Sequence, residues 1–242
     1  MRQMKKKSKI LNVAIDAVTN KEALEIAIGY IESSSTKKIY TPNPEIVMMA
    51  QTNDSIMRLL NEGDLVVPDG IGIIVASKIK KLELKERVAG VDLVDNILKF
   101  CAKEKKSFFI LGGKPGIAEL ACEKIKELHV GSVVAGYFHG YFKETEDEKI
   151  LRKINDAEPD VVFVCLGAPK QEIWIDKYHK EIHCKLIMGV GGSVDIYAGT
   201  VKRAPQIFIN LGLEWFYRLI KEPWRFKRML VLPRFLIKVL FS

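Results

Sequence analysis

One aspartate occupies a position at which an α/β protein can use a carboxylate for chemistry. Asp69 follows the apolar run 65–67, and its neighbours Pro68 and Gly70 break that strand before an apolar helix begins at Ile71. Open α/β folds bind their ligands at the carboxyl ends of strands, so a carboxylate here has access to a bound ligand. Aspartate is also a preferred helix N-cap, and its position alone favours the cap.

Three glycine-containing turns follow apolar strands, where they could cradle a phosphate group. They are Gly112-Gly113, Gly167 and the segment 189–192, which contains Gly191. None matches the GxGxxG fingerprint or the P-loop, and tight packing between a strand and a helix explains many such glycines. Because all three follow strands, together they indicate a nucleotide site along the carboxyl edge of a sheet.

The sequence lacks the motifs by which a metal ion is held beside a diphosphate. It contains no DxD pair and no CxxC pair. His179 and His183 are four residues apart, a spacing that a solvated helix face explains. We therefore expect no metal and no other cofactor, so arginine, lysine and backbone amides would have to neutralise a bound diphosphate.

Three arginines near the end of the chain are candidates for that task. Arg225 and Arg228 are three residues apart and share one helix face, and Arg218 lies on the preceding helix. A guanidinium fork suits phosphate oxygens better than an ammonium group does. Contact with anionic lipid is an alternative that explains the same arginines.

Positive charge is concentrated at the two ends of the chain. The net charge of the 242 residues is +8; the first nine residues carry +5, the segment 218–242 carries +6, and the remainder carries −3. This distribution favours an anionic partner at the ends over nucleic acid bound across the body. The four cysteines sit in apolar segments, which predicts buried thiols in a cytoplasmic protein. No apolar run is long enough to span a membrane as a helix.

The order of the predicted elements indicates the α/β class. Strand-like apolar runs alternate with helices, which favours a Rossmann-like, mostly parallel sheet with flanking helices. The strands are predicted at 9–15, 38–41, 65–67, 107–111, 131–135, 160–166 and 185–190. The segment 136–142 is expected to be a loop. Asn43 and Pro44 suit the N-cap and the first position of a helix.

The character of the chain changes after about residue 200. Residues 204–220 are predicted to be helical and aromatic-rich, and Pro223 and Pro233 to interrupt the helical segments that follow. We divide the chain into an α/β body (1–200) and a basic helical appendage (201–242). Its composition is typical of a segment at a membrane interface, and equally of an amphipathic helix docked on the body.

Eight segments spread over nearly the whole chain carry a joint signature. They are TPNPEIVMMA (41–50), DLVVPDGIGI (64–73), RVAGVDLV (87–94), FILGGKPGIAE (109–119), GYFHGYF (136–142), PDVVFVCLGAPKQEIWI (159–175), GVGGSVDIYAG (189–199) and KRAPQIFINLGLEWFYRLIKEPWRFKRM (202–229). Together they resemble the WecG/TagA/CpsF glycosyltransferases, and within that family they are most similar to the N-acetylmannosaminyltransferases of wall teichoic acid synthesis.

The resemblance implies an inverting transfer of N-acetylmannosamine from its UDP donor to undecaprenyl-diphosphate-linked N-acetylglucosamine, which forms a β-1,4 linkage. In such a one-step displacement one carboxylate can accept the proton of the attacking hydroxyl, an effect worth about 10²–10⁴-fold. Asp69 matches the family's proposed base. The resemblance also implies peripheral association with an anionic membrane surface, at the inner face of the cell membrane.

The resemblance assigns catalytic roles to five residues. They are Asp69, Thr41, Asn43, Arg87 and Gln171. Thr41 and Asn43 are expected to hydrogen-bond the sugar or to orient Asp69. Gln171 is expected to reach the diphosphate or the sugar, and Arg87 to line the pocket.

A second set is expected to bind substrate. It comprises Asp195, Gly112, Gly113, Gly191, Arg218, Arg225 and Arg228. Asp195 is expected to contact the uridine ribose or base, and the three arginines to stabilise the departing UDP or the acceptor diphosphate in place of a metal. The appendage would then complete the active site, and a chain ending near residue 200 should be nearly inactive.

Other functions stay open at this point. A family member that uses a different UDP-hexose, such as the uronic acid of N-acetylmannosamine, would carry the same motifs. A Rossmann oxidoreductase would need GxGxxG after its first strand, where the chain has Asp16-Ala17-Val18. A non-enzymatic nucleotide- or membrane-binding module would also fit the basic ends. No motif decides the oligomeric state, and a homodimer is compatible with the sequence.

Overall fold

The computed structural model describes residues 6–223 and 226–242, and a parallel sheet forms the centre of this part of the chain. A separate antiparallel hairpin contains β1 (Lys7–Ile10) and β2 (Val13–Asp16). The strands of the sheet are β3 (Lys37–Tyr40), β4 (Leu65–Val66), β5 (Ser107–Gly112), β6 (Val133–Phe138), β7 (Val161–Cys165) and β8 (Leu186–Gly189). Their order is β4-β3-β8-β7-β5-β6, and every neighbouring pair is parallel. The predicted Rossmann-like class is confirmed.

Helices cover both faces of this sheet. In chain order they are α1 (Asn20–Ile31), α2 (Pro44–Ala50), α3 (Asp54–Asn61), α4 (Ile71–Ile79), α5 (Gly90–Glu104), α6 (Ile117–Leu128), α7 (Asp147–Ala157), α8 (Lys170–Tyr178) and α9 (Ser193–Tyr197). Helices α1, α5, α6 and α9 bury apolar side chains on one face, and α2, α3, α4, α7 and α8 do so on the other. Strands β3, β4, β5, β7 and β8 are almost entirely buried, which explains the apolar runs in the sequence, whereas the edge strand β6 is only partly buried.

The segment predicted as one strand at 9–15 is instead the hairpin of β1 and β2. Leu11 and Asn12 have φ angles of 48° and 66°, the conformation of a two-residue type I′ turn. Because Ile10 and Val13 on either side are both buried, the apolar pattern shows no break at the turn.

The hairpin also supports the edge of the sheet beside Asp69. Asp16 is buried at the end of β2, and its Oδ2 accepts a hydrogen bond from the backbone N–H of Val66 at 2.8 Å. The next residue of the chain, Val67, donates to Tyr40 O in β3 at 2.9 Å. Successive N–H groups of a strand point in opposite directions, so Val67 N–H faces β3 and Val66 N–H faces the outer edge of the sheet. The Asp16 carboxylate accepts a hydrogen bond from the outward N–H of Val66, as the backbone of a neighbouring strand would.

Strand β6 begins two residues later and ends three residues later than the predicted strand 131–135. Residues 136–138, expected in a loop, continue the pairing with β5 after a register irregularity at Phe108/Phe109. A Cβ at position 136 would lie 2.8 Å from the ring of Phe109, so the strand needs glycine there. Two glycines in GYFHGYF favour a loop when the segment is considered alone. The packing against Phe109 that requires Gly136 is not visible in the local sequence, so the strand was not predicted there.

The C-terminal segment contains α10 (Gln206–Asn210), α11 (Glu214–Lys221), α12 (Phe226–Met229) and α13 (Val231–Leu240). The single helix predicted at 204–220 is wrong, because Gly212, with φ 69°, separates α10 from α11. Helix α13 begins before Pro233, since the first turn of a helix does not need the missing N–H. It packs on α2 and α4. The division of the chain near residue 200 stays a prediction.

Within the described residues, each helix is too short or too polar to cross a membrane.

Candidate active site

Asp69 lies at the carboxyl edge of the sheet, between β4 and α4. Its backbone N–H donates to Pro42 O at 3.3 Å, and Val88 N donates to Pro68 O at 2.9 Å, so two loops hold the turn in place. The residue that caps α4 is Gly70, with φ 81° and no side-chain hydrogen bond. The interpretation of Asp69 as the N-cap of the following helix is therefore wrong.

The Asp69 carboxylate instead faces the first residue of α5. Its Oδ2 accepts from Gly90 N at 3.3 Å. A Cβ at Gly90 would lie 3.4 Å from Thr41 Oγ1 and 3.5 Å from Asp69 Oδ2, so the three residues enclose one small space. The partial positive charge at the start of a helix stabilises a carboxylate. The side chain of Asp69 remains 28% exposed, which leaves it accessible to a ligand.

Burial raises the pKa of Asp69 above its usual value. The Arg87 guanidinium, whose Nε lies 3.8 Å from Oδ1, opposes this shift, as do the N–H groups of Gly90 and Gly70. The nearby Glu214 carboxylate adds to the rise in pKa. A carboxylate with a raised pKa accepts a proton more readily, which is the property that a general base needs.

Arg87 connects Asp69 to the C-terminal segment. Its Nη2 donates to Oε2 of Glu214, the first residue of α11, which is only 8% exposed. On the other side of Glu214, Arg203 Nε lies 3.9 Å from Oε1, and Arg203 Nη2 donates to Asp92 Oδ2 at 2.7 Å. Three carboxylates and two guanidiniums thus form one network that runs from Asp69 to Asp92.

Gln171 lies behind the glycine-rich turn that follows β8. It is buried; its Oε1 accepts from Gly191 N at 2.9 Å, and its Nε2 donates to Glu172 Oε1 at 2.8 Å. Thr41 Oγ1 donates to Gly189 O in the same turn at 3.3 Å. Because both ends of the Gln171 amide bind within the protein, the amide fixes the shape of this turn. Its predicted contact with substrate stays a prediction.

The glycines after β5 lie beside α9. Gly112 has φ 145°, and a Cβ there would lie 2.3 Å from Cys165 O, so no other residue fits. A Cβ at Gly113 would lie 3.3 Å from Val194 Cγ1, next to Asp195 in α9. The structure therefore brings Gly113 and the start of α9 together, as a nucleotide site at this edge requires. Substrate binding by these residues stays a prediction.

Asn43 has the capping role that its sequence position suggests. Its Oδ1 accepts from Glu45 N at 3.0 Å and from Ile46 N at 3.2 Å, at the start of α2. Its predicted contact with the sugar stays a prediction.

The arginines of the C-terminal segment lie in different surroundings. Arg228 forms two hydrogen bonds of 2.8 Å with the Glu45 carboxylate, through Nε and Nη2. Arg218 is half-buried and lies one turn after Glu214, on the same face of α11. Arg225 lies outside the described residues. Arg218 thus shares a helix face with Glu214, while Arg228 contacts the start of α2; the predicted substrate contacts of both arginines stay predictions.

Comparison with known proteins identifies the family. A sequence profile described as the Glycosyl transferase WecG/TagA/CpsF family matches residues 8–242. The chain belongs to this family. A Bacillus subtilis (strain 168) protein named N-acetylglucosaminyldiphosphoundecaprenol N-acetyl-beta-D-mannosaminyltransferase is 38% identical over 211 residues, which cover 87% of this chain and 82% of that protein. A Staphylococcus aureus (strain MRSA252) protein of the same name is 34% identical over 232 residues, which cover 95% and 91%.

For a glycosyltransferase of this family, the site offers a carboxylate of raised pKa beside guanidinium groups. Among the described residues, no three histidine, cysteine, aspartate or glutamate side chains are grouped to hold a metal ion. The expectation of a reaction without metal stays a prediction.

Sequence reasoning missed Gly90, Arg203 and Glu214. One signal for Glu214 was present, because it is the one acidic residue between Asp195 and Glu222, in an otherwise basic and aromatic segment. Nothing in the local sequence marks Arg203 as its partner.

Glu172, also missed, is a buried acid behind the glycine-rich turn. Burial raises the pKa of Glu172 to about 7, and the hydrogen bond from Gln171 opposes this rise. Its Oε2 is buried and has no hydrogen-bond partner within 6–223 and 226–242. Glu172 has a pKa near 4.5 in the unfolded chain and about 7 in the folded protein. At a pH between these two values, Glu172 is protonated in the folded protein and ionised in the unfolded chain.

The stability of the protein should consequently fall as the pH rises from about 5 to about 8, by up to roughly 3 kcal/mol from this group. Glu172→Gln should remove that part of the pH dependence, because glutamine carries no titrating proton. Urea unfolding at several pH values measures the effect. Glu123→Gln, on the exposed face of α6, is the matched control. Equal pH slopes for Glu172→Gln and the wild type would contradict the prediction.

Proposed function

We propose that the protein is an inverting glycosyltransferase of wall teichoic acid synthesis. It moves N-acetylmannosamine from UDP-N-acetylmannosamine to undecaprenyl-diphosphate-linked N-acetylglucosamine and forms a β-1,4 linkage. The observation that carries the proposal is the accessible Asp69 carboxylate, 28% exposed at the carboxyl edge of the sheet with Arg87 beside it. The names of the relatives in B. subtilis and S. aureus support this choice of sugar and acceptor.

In this mechanism Asp69 accepts the proton of the acceptor 4-hydroxyl as its oxygen attacks the anomeric carbon of the donor. The bond from that carbon to the UDP oxygen breaks on the opposite face, and the electron pair leaves with UDP, so the configuration inverts. Backbone N–H groups at the glycine turns and the guanidinium of Arg218 stabilise the diphosphate charge. Arg225 and Arg228 are proposed for the same task.

The direct test is transfer by the purified protein between UDP-N-acetylmannosamine and a diphosphate-linked N-acetylglucosamine acceptor with a shortened lipid, in the presence of EDTA. We expect product in EDTA and a β-1,4 linkage by NMR. UDP-N-acetylglucosamine and UDP-N-acetylmannosaminuronic acid serve as competing donors. Preferred turnover of the uronic acid donor would replace the proposed donor, and activity that appears only after a divalent ion is added would refute the metal-free mechanism.

We also propose that the C-terminal segment binds the anionic inner surface of the cell membrane. The segment exposes large apolar side chains among its basic residues; these are Ile207, Leu211, Phe216, Ile220, Phe226, Leu230, Ile237, Leu240 and Phe241. A basic segment with exposed apolar groups is suited to a membrane interface, where each basic residue adds about 1 kcal/mol. A homodimer stays a prediction.

Vesicles rich in phosphatidylglycerol should bind the protein, and added salt should weaken the binding. Ile220→Glu should reduce the affinity at least about tenfold, because it replaces an inserted apolar group with a charge that the lipid repels. The matched control is Ile173→Glu on α8; the two isoleucines are 55% and 47% exposed. Equal loss of binding in both variants would argue against the C-terminal segment as the membrane contact.

A further inference from the structure

We propose that Glu214 is a positioning residue for the transfer: its carboxylate holds the Arg87 guanidinium beside Asp69 and prevents it from closing a fork on that carboxylate. The inference rests on the proposed function, because it concerns how the general base of that reaction is kept able to accept a proton. Glu214 is the first residue of α11. Through this one side chain, the C-terminal segment would control how readily Asp69 accepts a proton.

The contacts of Arg87 are divided between two carboxylates. Nη2 donates to Glu214 Oε2, whereas Nε lies 3.8 Å from Asp69 Oδ1, beyond hydrogen-bond distance. This Nε is buried and has no hydrogen-bond partner among the residues that the structure describes. An arginine released from Glu214 would form the bidentate pair that guanidinium and carboxylate groups favour. Both oxygens of Asp69 would then be engaged by Arg87.

Arg203 and Asp92 keep Glu214 in its place. The two terminal nitrogens of Arg203 lie 2.6 and 2.7 Å from the oxygens of Asp92, so Asp92 fixes that guanidinium. Its Nε then faces Glu214 Oε1 at 3.9 Å. A carboxylate that is 8% exposed is costly unless it is paired, and here two guanidiniums flank it. Glu214 therefore lies between two guanidinium groups, and Arg203 helps to keep its carboxylate in contact with Arg87.

The charges of the cluster favour the base in the same way. The groups that face Asp69 are the Arg87 guanidinium, the Glu214 carboxylate and the N–H groups of Gly70 and Gly90. The guanidinium and the N–H groups lower the pKa of Asp69, and the negative charge of Glu214 raises it. Loss of the Glu214 charge would therefore lower the pKa of Asp69 for two reasons. A nearby negative charge would be gone, and the released Arg87 would move closer to the Asp69 carboxylate.

The test compares wild type, Glu214→Gln and Glu214→Asp by the pH dependence of kcat/KM. Glutamine keeps the size of the side chain and removes its charge, while aspartate keeps the charge on a shorter side chain. We expect Glu214→Gln to lower the plateau of kcat/KM several-fold and to move its acidic limb to lower pH by about one unit or more. Glu214→Asp should lie between Glu214→Gln and the wild type, both in the plateau of kcat/KM and in the pH of the acidic limb. Glu123→Gln should match the wild type.

A second readout does not depend on turnover. Titration of the Asp69 carboxyl carbon by NMR, assigned with Asp69→Asn, should show a lower pKa in Glu214→Gln than in the wild type, and thermal melting checks that each variant is folded. An unchanged Asp69 titration and an unmoved acidic limb, even with lower activity, would overturn the proposal and leave Glu214 a docking contact only. If the wild type transfers no sugar, the proposed function fails, and the NMR titration still decides whether Glu214 controls Asp69.

Discussion

Asp69→Asn is expected to lower the rate of sugar transfer by about 10²–10⁴-fold, the usual contribution of a positioned general base. The asparagine side chain has the same shape and can still accept the hydrogen bond from Gly90, so the fold of the turn is kept. What it loses is the ability to take the proton of the acceptor hydroxyl. Initial rates at saturating donor and acceptor, compared with those of the wild type, measure the loss.

The same substitution should leave the protein as stable as the wild type, or more stable. Because burial raises the pKa of Asp69, the folded state pays for the charge of this side chain at neutral pH, and a neutral isostere removes that cost. Loss of rate without loss of melting temperature therefore distinguishes a base from a structural carboxylate. The control is Asp54→Asn at the exposed start of α3. If Asp69→Asn retains a near-wild-type rate, Asp69 is only the carboxylate that caps α5.

The sequence was sufficient to predict the sheet and the location of Asp69. A strand that is buried on both faces is a continuous apolar run, and 107–111 and 160–166 show such runs, which became β5 and β7 within one or two residues. The chain places Pro68 and Gly70 around Asp69, which marks the end of a strand whatever the tertiary fold is. Both signals are local, so they are visible without the structure.

Arg87 was predicted to line the pocket, but its contact with Glu214 could not be predicted from the sequence. Arg87 and Glu214 are 127 positions apart, and only the tertiary fold brings the first residue of α11 to Arg87. Gln171 shows a related limit. The sequence predicted it in the loop after the strand 160–166, but the structure places it in the first turn of α8, and its amide turns inward to Gly191. Residue type predicts which groups a side chain can bind, and the fold decides which of them it meets.

The last helix of the chain supports the site from behind. In α13, Phe235 is fully buried and Val239 nearly so, within the core on the α2 and α4 side of the sheet. A Cβ at Gly72 in α4 would lie 2.6 Å from Leu232 of α13 and 2.5 Å from Pro44 of α2, so the three helices meet closely there. Helices α2 and α4 begin directly after the turns that carry Asn43 and Asp69. The packing of α13 therefore fixes the helix ends that the active site depends on.

Phe235→Ala is accordingly expected to destabilise the protein by about 3–5 kcal/mol, the cost of removing a buried phenylalanine and leaving a cavity. That is a large share of the roughly 5–15 kcal/mol by which a domain is stable. Urea unfolding measures it, with Phe241→Ala as the matched control in the same segment. Phe241 is 83% exposed, so its loss should change the stability by no more than about 0.5 kcal/mol. Equal stability of the two variants would mean that α13 is not part of the core and that the whole C-terminal segment is an appendage.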